Sequence, residues 1–132
     1  MNDPRPRPRA IVAGHAEFAA GIISAVQAIS GRGNLLVPVA VPGLGAADIE
    51  QLIRERMAEH DVHVIFTDLQ AGSCSMAARR ILRGVPGAVL VCGVSLPLLL
   101  DFVFADDKSP ADAARHAAER ARSAIAVHEA TA

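Results

Sequence analysis

A histidine directly after one short apolar run and an aspartate directly after another are the residue types in this chain best placed to do chemistry together. Ala10-Ile11-Val12-Ala13-Gly14 leads into His15, and Val62-His63-Val64-Ile65-Phe66-Thr67 leads into Asp68. In an open parallel sheet the carboxyl ends of neighbouring strands form the ligand crevice. Two such strands set an imidazole beside a carboxylate, the pairing that orients a nucleophilic histidine. After Asp68, the small residues of Leu69-Gln70-Ala71-Gly72-Ser73-Cys74 read as a strand-to-helix loop. Free amides of Gly72, Ser73 and Cys74 at the helix start make a binding site for an oxyanion such as phosphate. The Ser73 hydroxyl either caps that helix or donates to the anion. The plainer alternative is a hydrogen-bonded turn histidine and a helix-capping aspartate.

The remaining polar candidates offer less. One histidine and one aspartate are too few ligands for a metal, and no other His, Cys or Glu stands at ligand spacing to them, so neither metal nor cofactor is expected. Cys74 has no upstream base and reads as a small helix-start residue, and Cys92 reads as core. His63 alternates within its strand, whereas His60, His116 and His128 fall on polar helix faces.

Positioning His15 and Asp68 is the task of the elements around them. Strand one is expected at about Ala10 to Ala13. A helix follows from near Glu17, burying Phe18, Ile22, Val26 and Ile29 and stopped by Gly31. Strand two, Leu35 to Val41, contains Pro38, which lacks a ladder donor and so belongs at an edge. After the turn Pro42-Gly43-Leu44-Gly45, a helix carries Ile49, Leu52, Ile53 and Met57 inward. Strand three is Val62 to Thr67, and a helix from about Ser73 to Leu82 closes at Gly84. Strand four is Ala88 to Cys92, Pro97 starts a short helix to about Phe104, and Ser109-Pro110 opens a last helix reaching about His128. The pattern predicts an α/β fold: a single-domain open sheet, mostly parallel, of order 2-1-3-4, with helices on both faces. That order makes strands one and three neighbours at the switch point.

Composition narrows the function further. The 132 residues fit one domain over residues 10–132, after a Pro/Arg tail at residues 1–9 expected to be flexible and without anchors. Hydrophobic residues are 52% and the formal net charge is -1, so no global field recruits nucleic acid or an acidic membrane. The longest apolar stretch, Ala88 to Leu100, is interrupted by Gly93, Ser95 and Pro97 and is too short to span a bilayer. A cytoplasmic location, free thiols and no membrane insertion are expected. An alanine-rich last helix (Ala113, Ala114, Ala117, Ala121, Ala124) and a four-strand sheet with an open edge suggest a homodimer.

Three segments carry a family resemblance. Ile11-Val12-Ala13-Gly14-His15-Ala16-Glu17-Phe18-Ala19-Ala20-Gly21 resembles the active-site segment of mannose-class enzyme IIA of the bacterial phosphoenolpyruvate:sugar phosphotransferase system. Val64-Ile65-Phe66-Thr67-Asp68-Leu69 with Gly72-Ser73 is similar to that family's second motif, and Gly93 to Leu100 to its third. The likeness looks closest to the N-acetylgalactosamine/galactosamine branch. It implies a phosphoryl carrier that accepts phosphate on His15, oriented by Asp68, from the histidine of HPr and passes it to an enzyme IIB. An apolar rim of Phe18, Leu44 and Leu69 would dock these partners, and members of the family are usually dimers. Two positions depart from its pattern. Ala16 stands where the family usually has Gly, and Ala71-Gly72-Ser73-Cys74 stands where it usually has Gly-Gly-Ser/Thr-Pro. Two other functions fit the same residues: a regulatory phosphorelay subunit not coupled to transport, and a module that binds an anionic metabolite without a covalent step.

Overall fold

In the computed structural model, which describes residues 7–41, 43 and 45–131, four strands and five α-helices alternate along the chain. The order is β1 (Ala10–Gly14), α1 (Phe18–Ser30), a short 3-10 turn (Gly33–Leu35), β2 (Leu36–Ala40), α2 (Ala46–His60), β3 (Val64–Thr67), α3 (Ser73–Leu82), β4 (Val89–Cys92), α4 (Leu96–Phe104) and α5 (Pro110–Arg122). The strands form one sheet of order β2-β1-β3-β4, and every pairing is parallel. The expected topology is therefore the observed one.

Period-two alternation within the strands builds two cores, one on each side of the sheet. Val12 and Phe66 face α1, α4 and α5, whereas Ile11, Ala13 and Ile65 face α2 and α3. All five residues of β1 are buried, as its central place requires. Pro38 sits on edge strand β2 with its ring exposed, where a missing donor costs nothing. On the first face Phe66 meets Phe102 edge to face, centroids 4.9 Å apart.

Three expectations need correction. Ile29 does not join the buried stripe of α1: it is 62% exposed, and Ala19 and Val26 form the buried line instead. The last helix stops at Arg122 rather than near His128, and the Ser123 hydroxyl donates to the Arg120 carbonyl. Beyond it the apolar residues Ile125 and Val127 recur at period two, and both are exposed. Arg9 is anchored: its amide donates to Leu35 O at 2.7 Å, its guanidinium donates to the Ala105 and Lys108 carbonyls, and it lies over the Phe102 ring. Proline lacks only its own amide donor, so Arg9, which follows Pro8, keeps its N–H to bond. Residues 1–6 of the tail lie outside the described residues.

Candidate functional site

The parallel order brings the carboxyl ends of β1 and β3 side by side, since Ala13 pairs with Thr67. The next residues along these strands meet across the rim. Asp68 Oδ2 accepts twice from His15: from its backbone amide at 2.9 Å and from ring Nδ1 at 2.7 Å. The imidazole is half exposed and the carboxylate nearly covered, with side-chain exposures of 53% and 10%. Burial pushes the Asp68 pKa up, but the His15 amide, the ring hydrogen bond and the ring charge outweigh it, leaving the net value below the ordinary one. An ionised carboxylate only accepts, so Nδ1 must carry the ring proton. Nε2 is then the nitrogen with a free lone pair.

Local backbone geometry makes this contact possible. A Cβ on Gly14 would lie 2.6 Å from Phe18 Cδ1 and 3.2 Å from Asp68 Cγ, so glycine lets the strand end approach both. Ala16 adopts a left-handed φ of 49°, and the Phe18 amide closes the turn on the His15 carbonyl at 3.0 Å. Gly72, at φ 111°, is a conformation that essentially only glycine takes, and it turns the chain from the loop into α3. Below the loop, the buried Ser75 hydroxyl donates to the Leu69 carbonyl, and the Thr67 hydroxyl, 3.1 Å from that carbonyl and 2.9 Å from Ser75 Oγ, has one proton to give to either. From outside, Arg79 donates to the Gln70 carbonyl at 3.0 Å.

The three residues expected to bind an anion stand at the start of α3. Gly72 is the N-cap of α3, and no side chain caps the helix, so Ser73 is its first residue and not its cap. Gly72 faces the imidazole, since a Cβ there would stand 3.8 Å from His15 Cε1. Cys74 is buried, and its thiol is pushed up to about 11 by burial and by the charge of Asp68. The expectation that no cysteine stands at ligand distance from the pair is corrected, because donor atoms of His15, Asp68 and Cys74 lie within 4.8 Å of one another. The first turn of α3 folds Cys74 back over the end of β3, a proximity that linear spacing does not encode. Cys92, expected in the core, is half-buried on outer strand β4.

Of the three apolar rim residues, Leu69 is 54% exposed beside Gly72, and Phe18 is half-buried with its ring near Gly14. Leu44 lies outside the described residues. Reasoning from sequence missed the Thr67–Ser75 tie. Its one signal was a hydroxyl residue, Thr67, inside an otherwise apolar strand.

The chain is similar to known proteins along most of its length. Residues 9–119 match the EIIA-man family model, described as the PTS system fructose IIA component. A sorbose-specific EIIA component of the PTS system from Klebsiella pneumoniae is 33% identical over 96 residues, which is 71% of each chain. The mannose/sorbose-specific IIA subunit from Enterococcus faecalis superposes with a TM-score of 0.83 at 17% identity, covering 96% of this chain and 98% of that one. A phosphotransferase system component EIIA from Streptococcus agalactiae gives 0.72 at 16% identity, covering 86% and 93%.

Proposed function

The chain belongs to the EIIA-man family of sugar phosphotransferase systems, and from that premise we propose that it carries a phosphoryl group on His15 Nε2. The observation that carries this reading is the 2.7 Å contact between Nδ1 and Asp68 Oδ2, which fixes the proton on one nitrogen and frees the other. Nε2 attacks the phosphorus of phospho-HPr in line. The new N–P bond forms as the bond to the HPr histidine breaks, and Nδ1–H stays on Asp68. The cation that develops on the ring is offset by the carboxylate. First-turn amides of Gly72, Ser73 and Cys74, with the Ser73 hydroxyl, offset charge on the equatorial oxygens. Transfer to an enzyme IIB runs the same steps in reverse. Phe18, Leu44 and Leu69 would dock these partners and exclude hydrolytic water.

No helix among the described residues is long and apolar enough to cross a membrane. We place the protein in the cytoplasm as a homodimer, with the choice of sugar residing in other subunits. His15→Ala tests the assignment. After incubation with phosphoenolpyruvate, enzyme I and HPr, the intact mass of the wild type should gain one phosphoryl group and that of the variant none. Equal incorporation in both would remove His15 from the reaction.

A further inference from the structure

We propose that His15, Asp68 and Cys74 together bind a thiophilic divalent cation of the zinc class, and that this cation bars a phosphoryl group from His15. Two observations converge on the site. Imidazole, carboxylate and thiol donors from three separate segments lie within 4.8 Å of one another. Independently, Asp68 Oδ1 is buried without a hydrogen-bond partner, on a side chain that is nine-tenths covered. A buried carboxylate oxygen is costly to leave unmatched, and a cation held by all three donors would match it.

The donor set suits zinc, which takes nitrogen, sulfur and oxygen ligands tetrahedrally, and three protein ligands leave a fourth position for water. With metal–ligand bonds of about 2.0–2.3 Å, the donor atoms of such a tetrahedron stand roughly 3.5 Å apart. The required closure is therefore small, and the half-exposed ring of His15 is free to supply it. Asp68 can offer Oδ1 to the ion while Oδ2 keeps the His15 amide.

The step balances simply. The Cys74 S–H bond breaks, a metal–sulfur bond forms, and the proton goes to solvent. The neutral imidazole donates its one lone pair and loses no proton. If Nε2 binds the ion, that pair is consumed. If Nδ1 binds, its proton moves to Nε2, which again has no pair for phosphorus. A phosphoryl group already on Nε2 leaves only Nδ1, whose proton a metal would have to displace from Asp68. The strict block therefore runs one way: a bound cation takes the electron pair that phosphorus needs. That block rests on the carrier reading, whereas metal binding does not.

Cobalt(II) added to the metal-free protein tests binding directly. We expect one cobalt ion per chain, bound with release of a proton, a thiolate-to-cobalt charge-transfer band, the visible bands of four-coordination, and displacement of the cobalt by zinc. Cys74→Ala should abolish the charge-transfer band. It should also weaken zinc binding, measured against a chromogenic chelator, by more than the roughly 10- to 100-fold that loss of a mere supporting hydrogen bond costs. Absence of the band in the wild type, or equal zinc affinity in a folded Cys74→Ala variant, overturns the site. Purified phospho-HPr mixed with zinc-loaded or chelator-treated protein then tests exclusion. Uptake should fall in proportion to occupancy, and full uptake by the loaded protein overturns exclusion. No uptake by metal-free protein overturns the carrier reading, and exclusion with it, while the cobalt result stands by itself.

Discussion

Asp68 is the residue on which the site turns, because it holds His15 at both backbone and ring. A carboxylate whose folded pKa lies below its unfolded one adds stability above the unfolded value and loses it as pH falls through the folded value. The lowered pKa of Asp68 places that loss in the acid range, below about 4. Urea midpoints of the wild type and Asp68→Asn should differ by a constant amount at neutral pH and converge as the solution is acidified. A difference that widens in acid would contradict the sign. At neutral pH the variant should also transfer phosphate about 10²- to 10⁴-fold more slowly, the range for a histidine that loses its orienting partner. Ala16 raises a separate question of backbone. Its left-handed φ costs a non-glycine residue roughly 1 kcal/mol, so Ala16→Gly should raise the unfolding free energy by up to about that amount. At an ordinary helical φ the same change lowers it, so the direction alone decides whether the strain is real.

Single elements hold the loop that carries Asp68. Thr67 and Ser75 tie β3 to α3 beneath it, beside the Leu69 carbonyl. Thr67→Val keeps the shape and deletes the hydroxyl, leaving that network short of one member. Because Ser75 still donates to the Leu69 carbonyl, we expect a loss of about 0.5–1.5 kcal/mol, the net worth of the hydrogen bond removed, and faster amide exchange through residues 68–72. Unchanged exchange would mean that the loop is held from elsewhere. The elements themselves were largely legible in the sequence. Alternation separated the two faces of β1, Pro38 assigned β2 to an edge, and Ser109-Pro110 marked the start of α5, where the Ser109 hydroxyl accepts from the Asp112 amide. What could not be read depended on where the chain meets itself. Cys74 beside His15, Arg9 over Phe102 and the need for glycine at position 14 all arise from approaches between distant segments. The end of α5 was overestimated because alanine favours a helix whether or not a core lies beneath it.

At the scale of the whole molecule, the sheet ends on β4, whose four residues are each half-buried. An edge strand of this kind invites a partner, and Ile125 and Val127 add two exposed apolar side chains after the last helix. Three of the five alanines expected to serve a dimer, Ala113, Ala114 and Ala117, are instead buried within the chain's own core. The case for association therefore moves from the face of α5 to the β4 edge. Light scattering at micromolar concentration should give twice the 13.8 kDa chain mass, and charge placed at Val89 or Ile125 should shift the protein toward the single chain. A clean monomer for the wild type would remove the dimer.

The central position of β1 also bears on how the protein is made. The strand is synthesised first, yet Ile11 needs Val37 on one side and Ile65 on the other before it is covered. At about 5–20 residues per second, the ribosome takes on the order of several seconds to supply that second neighbour. During this interval an apolar, β-prone segment is without its flanks. Nascent chains stalled before β3 should therefore be captured by hydrophobic-binding chaperones, and chains stalled after it should be released. His15 thus hangs from the strand of the sheet that waits longest for its second neighbour.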